Sequence, residues 1–134
     1  MIDIPTNVPA EAVPLLVVDD DPDARWLLAV LLADAGYAIS EASNADDALQ
    51  CLAERVEIQA VITDIQMPGT MDGFEFAMRV NRESPEIAVL LMSGLDIPTG
   101  RALPSGMRFL RKPWAAAEVL ELLEGILSGR TGIA

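Results

Sequence analysis

Residues 15–24 read LLVVDDDPDA, in which four apolar residues are followed by four aspartates within the next five positions. The apolar run is typical of a strand that is buried on both faces of a parallel sheet. Two carboxylates about 4 Å apart repel each other by about 4 kcal/mol at an effective dielectric constant of about 20. The sequence therefore predicts a buried strand that ends at a cation-binding group of acids.

The rest of the chain alternates short apolar runs with helical patterns. The runs predict five strands, at residues 15–19, 37–42, 58–63, 87–92 and 107–110. The helical patterns predict helices at residues 22–35, 44–55, 72–83 and 114–127. Asp21 and Pro22 mark the start of the first helix. Strands that alternate with helices indicate an α/β fold, in which right-handed crossovers cover both faces of a parallel sheet.

In a sheet of this kind, ligands bind outside the carboxyl ends of the strands. The predicted strands end at Asp19 and Asp20, at Asp64, at Ser93 and just before Lys112. Because these ends meet at one edge, we expect their polar groups to converge on one site. Lys112 is the only lysine among nine lysine and arginine residues, which fits a site that needs a compact ammonium group.

The composition excludes several classes of function. The chain of 134 residues is 51% hydrophobic, so it is long and apolar enough to form one domain with a real core. A net charge of -12 argues against nucleic-acid binding by the surface as a whole. The absence of histidine excludes serine triads, histidine-ligated zinc and a phosphohistidine of the chain's own. The single cysteine, Cys51, excludes an internal disulfide framework.

The N-terminal residues include acids and prolines where a signal peptide has a basic segment followed by an apolar one. The longest uninterrupted apolar stretch, residues 26–33, is too short to cross a bilayer. We therefore expect a cytoplasmic protein without a membrane partner.

The apolar stretch at residues 26–33 has no polar residue on any side of its predicted helix, which predicts either deep burial or a surface for a partner.

Four motifs together resemble the receiver domain of bacterial two-component response regulators. They are VVDDD at residues 17–21, TDIQMPGTMDG at 63–73, LMSG at 91–94 and FLRKPW at 109–114. The resemblance covers residues 14–128, which leaves residues 1–13 as an N-terminal extension and 129–134 as a C-terminal tail. It implies a flavodoxin-like, doubly wound fold with five parallel strands in the order 2-1-3-4-5.

The resemblance also implies a chemistry, in which an aspartate accepts a phosphoryl group from a partner's phosphohistidine in the presence of Mg²⁺. By position, Asp64 matches the phospho-acceptor, and Asp19 and Asp20 match the acidic pair. Asp20, Asp64 and the backbone carbonyl of Gln66 would bind the metal directly, and Asp19 would act mostly through water. Mg²⁺ prefers such oxygen ligands in an octahedral arrangement.

Further residues receive roles from the same resemblance. Ser93 and Lys112 would each contact a phosphoryl oxygen, and Ser93 would form a conformational switch with Phe109. Lys112 and Pro113 would be joined by a cis peptide bond. The first helix would help to dock the phosphodonor through its apolar stretch.

The segment at residues 94–106 departs from the family pattern. The stretch from Ser93 to Lys112 that includes it is about one helical turn shorter than usual, and residues 94–106 contain two prolines and three glycines. We therefore expect a short or irregular fourth helix, as in single-domain receivers that pair with or are fused to certain sensor kinases. We also expect this segment to become ordered when Ser93 contacts the phosphoryl group.

The implied partners are a sensor histidine kinase or a histidine phosphotransfer protein, and a downstream protein that the sequence does not identify. The chain would be a signalling receiver, either stand-alone or part of a longer protein. It would not be an enzyme beyond its own phosphorylation and dephosphorylation.

One alternative is a Mg²⁺-dependent aspartyl-phosphate hydrolase of the haloacid dehalogenase type, because Asp19 and Asp21 form an Asp-x-Asp motif. The other is a pseudo-receiver that only binds partners.

Overall fold

The computed structural model describes residues 12–67, 69, 71–94 and 103–131. Its strands form one five-stranded parallel sheet in the order β2-β1-β3-β4-β5. The strands are β1 (Pro14–Val18), β2 (Ala38–Ala42), β3 (Ala60–Asp64), β4 (Ala88–Ser93) and β5 (Met107–Arg111). This order confirms the predicted doubly wound, flavodoxin-like topology. The strand order reverses beside β1, so β1 and β3 flank the place where such sheets bind ligands.

The described residues form four helices. They are α1 (Pro22–Asp34), α2 (Ala45–Glu54), α3 (Gly73–Glu83) and α4 (Ala116–Thr131). Asn44 and Asp72, where two helices were predicted to begin, are the N-cap residues of α2 and α3. Asn44 accepts the N–H of Asp47 at 2.8 Å, and Asp72 forms a reciprocal capping box with Glu75. These caps fix the residue at which each of the two helices begins.

Two predicted element ends differ from the structure in ways that matter. β3 spans Ala60–Asp64 rather than 58–63, so Asp64, which was predicted to lie at the end of this strand, is itself a strand residue whose backbone is in register with Met92 of β4. α4 runs from Ala116 to Thr131 rather than over 114–127, which carries it past the domain boundary predicted at residue 128. The serine and glycine at 128 and 129 are weak helix formers, but a helix that is already nucleated continues through them.

Alternate strand residues pack into two cores on opposite faces of the sheet. Leu16 and Val89 lie in the core beneath α2 and α3, whereas Leu15 and Leu90 lie in the core beneath α1 and α4. Every residue of β3 and β4 is buried, which explains why these strands are continuous apolar runs until the site is reached. The two cores hold the carboxyl ends of the central strands in fixed positions.

The segment between β4 and β5 includes residues 95–102, which lie outside the described residues. The expectation of a short or irregular helix between β4 and β5, and of its ordering on activation, therefore stays a prediction. Within the ranges given above, no helix has both the length and the apolar character that crossing a membrane would need.

Candidate functional site

Three aspartates from two neighbouring strand ends meet at the carboxyl edge of the sheet. Asp19 and Asp20 follow β1, and Asp64 is the last residue of β3. Each contributes a carboxylate oxygen, and these oxygens all lie within 4.8 Å of one another. Asp19 and Asp64 are buried, whereas Asp20 is exposed. The convergence expected from the strand ends is therefore present for the acids.

Asp19 is held by both its backbone and its carboxylate. Its N–H donates to the carbonyl of Ala42 in β2 at 3.1 Å, and its Oδ1 accepts the N–H of Asp21 at 3.0 Å. Burial raises the pKa of Asp19 above its ordinary value of 3.8, and the nearby carboxylates of Asp64 and Asp20 raise it further. The N–H of Asp21 and the charge of Lys112 oppose that shift in pKa. A buried acid in this setting favours a cation beside it.

Lys112 brings the one ammonium group that the described residues place at this edge. Its Nζ lies 3.1 Å from Oδ2 of Asp64 and 4.0 Å from Oδ2 of Asp19. The backbone N–H of Lys112 donates to the carbonyl of Ser93 at 2.8 Å, which ties the end of β5 to the end of β4. The Lys112–Pro113 peptide bond is cis, as the resemblance implied. Lys112 therefore lies within ion-pair distance of both buried aspartates of the site.

Ser93 lies at the end of β4, and its side chain is completely buried. Its hydroxyl donates a hydrogen bond of 2.7 Å to Oε1 of Gln66, in the loop after β3. The backbone N–H of Gln66 in turn lies 3.3 Å from Oδ1 of Asp64, to which it donates. Sequence reasoning gave Gln66 a role only through its backbone carbonyl. The partner of its side chain depends on a rotamer that no sequence pattern specifies.

Gly73, the first residue of α3, is a site residue that the sequence analysis did not single out. A Cβ at this position would overlap the backbone carbonyl oxygen of Asp64. The N–H of Gly73 donates to the carbonyl of Ile65 at 2.8 Å, which keeps the start of α3 against the end of β3. The glycine that closes the motif at 63–73 was the available signal, although a sequence cannot show which atom requires it.

Phe109, predicted to take part in switching, and α1, predicted to take part in docking, are each partly buried and partly exposed. Phe109, on β5, is half-buried and packs against the core beneath α2 and α3. On α1, Trp26 and Leu27 are 40% and 56% exposed, whereas the next two residues are buried. The stretch that is apolar on all sides is thus covered on one side and open on the other. The role of Phe109 in switching and the role of α1 in docking stay predictions.

The chemistry of the acids suits a divalent cation. Asp19, Asp20 and Asp64 form the one group of potential metal-binding side chains that lie close enough together in the part of the chain described. All the donors are oxygens, and Mg²⁺ selects carboxylate and carbonyl oxygens while keeping several of its waters. The exposed position of Asp20 leaves one side of the group open to solvent and to a second ligand. The residues present therefore fit Mg²⁺.

The chain belongs to the response regulator receiver domain family, whose sequence model matches residues 15–124. This family comprises the receiver domains of two-component systems, as the four motifs indicated. The match includes every residue to which the resemblance gave a role in the site.

Curated relatives agree with this membership. The nitrogen assimilation regulatory protein NtrX of Azorhizobium caulinodans is 32% identical over 117 residues, which cover 84% of this chain and 26% of NtrX. A 14.6 kDa protein of Leptolyngbya boryana is 40% identical over 116 residues, which cover 82% of this chain and 86% of that protein. The chain therefore spans about a quarter of the length of NtrX but most of the shorter relative.

Solved structures share the fold. The signal receiver domain of an HD domain-containing protein from Pseudomonas fluorescens superposes with a TM-score of 0.82 at 30% identity, covering 90% of this chain and 98% of that one. A response regulator receiver protein from Sinorhizobium medicae gives a TM-score of 0.81 at 25% identity, with coverage of 91% and 99%.

Proposed function

We propose that this chain is a phospho-acceptor receiver, which takes a phosphoryl group from a phosphohistidine onto Asp64 with the help of Mg²⁺. The donor would be a sensor histidine kinase or a histidine phosphotransfer protein. The observation that carries the proposal is the placement of Lys112 Nζ at 3.1 Å from Oδ2 of Asp64 and 4.0 Å from Oδ2 of Asp19, beside a group of three acids. Asp64 thus pairs with an ammonium group and also belongs to a group of acids able to hold a second cation.

The reaction forms one bond and breaks one. A carboxylate oxygen of Asp64 attacks the phosphorus of the donor's phosphoimidazole, and an acyl phosphate forms. The phosphorus–nitrogen bond breaks, and its electron pair stays on the ring nitrogen of the donor. Phosphoryl transfer of this kind depends on positioning and charge stabilisation more than on covalent catalysis by the protein.

The residues of the site would share this work. Asp64 is fixed because its backbone belongs to β3, which is buried at every position. Lys112 holds an ammonium group where it would pair with a phosphoryl oxygen once Asp64 is modified. Asp19, Asp20, Asp64 and the carbonyl of Gln66 would hold Mg²⁺, which when bound neutralises the acids and the transferring phosphoryl oxygens.

The output would follow from Ser93. Its hydroxyl would leave Gln66 and donate to a phosphoryl oxygen, and Phe109 would respond on the neighbouring strand, where it is in register with Leu91 of β4. The chain would then present a changed surface to a downstream protein. We place this signalling in the cytoplasm and assign the chain no turnover beyond its own phosphorylation and dephosphorylation.

The two alternatives lack support of their own. The hydrolase hypothesis uses Asp21 as the second acid of an Asp-x-Asp motif, but Asp21 caps α1 and accepts the N–H groups of Asp23 and Ala24. No compared relative described above is such a hydrolase. The pseudo-receiver hypothesis requires a site that cannot react, whereas the acids and the lysine here are all present and close together.

The test is phosphorylation of the purified chain by acetyl phosphate, a small donor that needs no partner, followed by intact mass measurement. Wild type with Mg²⁺ should gain the mass of one phosphoryl group, and should gain none when Mg²⁺ is chelated. Asp64→Asn should gain none under either condition. Asp46→Asn, which changes an exposed acid on α2, is the matched control and should behave as wild type. Equal labelling of Asp64→Asn and wild type would refute the assignment of Asp64.

A further inference from the structure

Arg25, in the first turns of α1, connects three elements at the edge of the site. Its Nη1 donates to the backbone carbonyl oxygen of Asp19 at 2.8 Å. Its Nε donates to Oε1 of Glu41, on β2, at 3.1 Å. The side chains of Arg25 and Glu41 are only 21% and 32% exposed. One guanidinium group therefore joins α1, the end of β1 and β2.

The carbonyl that Arg25 contacts belongs to the peptide bond between the two acids of the pair. A peptide group is planar, so a hydrogen bond that fixes the carbonyl of Asp19 also fixes the direction of the N–H of Asp20. On the other side of Asp19, its own N–H is fixed by the carbonyl of Ala42. The path of the backbone from Asp19 to Asp20 is therefore set from both sides.

This arrangement needs the shape of a guanidinium group. Arginine has several N–H donors in a rigid, planar fork, so it can donate to a carbonyl and to a carboxylate at the same time. A lysine ammonium at the end of a flexible stem would lose this fixed geometry. Glu41 then has a definite task, since it holds the fork in the orientation that reaches Asp19. A half-exposed ion pair contributes little stability by itself, so its effect on geometry is the more important one.

We propose that Arg25 is a positioning residue for the cation site, and that Glu41 holds Arg25 in place for this task. The inference rests on the proposed function, because it assumes that Asp19 and Asp20 bind Mg²⁺. Residues that orient metal ligands from outside commonly change metal affinity by about 10- to 100-fold when they are replaced. Arg25 does not touch the reacting carboxylate of Asp64 through any bond described here, so it should act on cation binding first.

The test compares Mg²⁺ affinity, measured by titration calorimetry, across four variants. Arg25→Gln should weaken Mg²⁺ binding by about 10-fold. The Mg²⁺ affinities of Arg25→Lys and Glu41→Gln should lie between those of Arg25→Gln and wild type, because each variant keeps a donor near Asp19 without the fixed fork. Arg79→Gln is the matched control, since Nε of Arg79 pairs with Glu83 at 3.2 Å on α3. Arg79→Gln also removes an arginine that pairs with a glutamate, but this pair lies outside the site, so the variant should have an unchanged Mg²⁺ affinity.

Two further readouts separate positioning from loss of stability. Melting temperatures in chelator report the cost of each change to the metal-free fold. Initial rates of phosphorylation by acetyl phosphate, measured against Mg²⁺ concentration, should show a raised half-saturation concentration for Arg25→Gln with a nearly unchanged maximal rate. A general loss of folded protein would instead lower the maximal rate.

The outcomes distinguish this inference from the function on which it rests. A wild type that neither binds Mg²⁺ nor gains a phosphoryl group would overturn both. A wild type that does both, with Arg25→Gln within twofold of Arg79→Gln in Mg²⁺ affinity, would overturn the role of Arg25 alone. Should Arg25→Gln fail to fold, Glu41→Gln and Arg25→Lys carry the same comparison, and wild-type affinity in both would count equally against the proposal.

Discussion

The hydroxyl of Ser93 is bound to the side-chain oxygen of Gln66, at 2.7 Å, across the gap between the end of β4 and the loop after β3. A hydroxyl has a single proton to donate. The proposed function needs that proton for a phosphoryl oxygen on Asp64. Under the proposed function, the side chain of Gln66 would compete with the phosphoryl group for Ser93 and would stabilise the unphosphorylated arrangement.

Replacing Gln66 should ease this competition. A net contribution of about 1 kcal/mol for one hydrogen bond corresponds to about a fivefold change in an equilibrium. Gln66→Ala keeps the backbone carbonyl proposed as a metal ligand, and should bind the phosphoryl mimic beryllofluoride about fivefold more tightly in saturating Mg²⁺. Gln50→Ala is the control, because the amide of Gln50 donates to Glu54 on the exposed side of α2. Unchanged affinity in Gln66→Ala would show that Ser93 is not restrained in this way.

Asp20→Asn should have two opposite effects on stability, because Asp20 repels the neighbouring acids in the metal-free protein and is a proposed ligand of Mg²⁺. In chelator, its melting temperature should rise above that of wild type, because one of three carboxylates within 4.8 Å of each other becomes neutral. Wild type should gain about 2.7 kcal/mol of stability when Mg²⁺ is present at a hundred times its dissociation constant. Asp20→Asn should lose most of that gain. Thermal unfolding with and without Mg²⁺ measures both effects, and an intact Mg²⁺ response in the variant would exclude Asp20 as a ligand.

The raised pKa of Asp19 predicts the pH dependence of the metal-free protein. Burial is the main cause of the shift, so the folded chain binds this proton more tightly than the unfolded chain does. The contribution of Asp19 to the free energy of unfolding should therefore fall as the pH rises from 3.8 through the raised folded value, and then stay level. Asp19→Asn lacks this component. Denaturant unfolding in chelator measures the free energy of unfolding of both proteins. As the pH rises through this range, the value for Asp19→Asn should increase relative to that of wild type. A difference between the two proteins that does not change with pH would contradict the raised pKa of Asp19.

Gly73→Ala should be strongly destabilising, because the new methyl group would overlap the backbone carbonyl oxygen of Asp64. Backbone on both sides cannot yield as a flexible side chain would, so a loss of about 2 kcal/mol or more in the free energy of unfolding is expected. Gly125→Ala on α4 is the matched control, since the described residues outside its own helical turns place no atom within 4 Å of its added Cβ. That variant should gain about 0.5–1 kcal/mol from helix propensity. Similar stabilities for the two variants would contradict the close contact at Gly73.

Much of the fold followed from local pattern. The apolar runs of β3 and β4 are continuous because both faces of these strands are covered, and the helix caps at Asn44 and Asp72 are the residue types that such positions favour. The strand order came from the family resemblance, since alternating strands and helices do not by themselves fix which strands are neighbours.

The site was predictable to the extent that it lies at strand ends. Asp19, Asp64, Ser93 and Lys112 come together because parallel strands place their carboxyl ends at one edge of the sheet. The contacts of Gln66, Arg25 and Gly73 were not predictable in this way. Each depends on one rotamer or one close approach between elements distant in the chain, and a sequence does not specify such distances.

The absence of room for a methyl group at Gly73 has a mechanical consequence. The first turn of α3 rests directly on the backbone of Asp64, and the N–H of Gly73 is bound to the carbonyl of the next residue, Ile65. Because these backbones are in contact, we expect a displacement of Asp64 to move the start of α3 as well. Under the proposed function, a change at Asp64 would therefore reach the protein surface through α3.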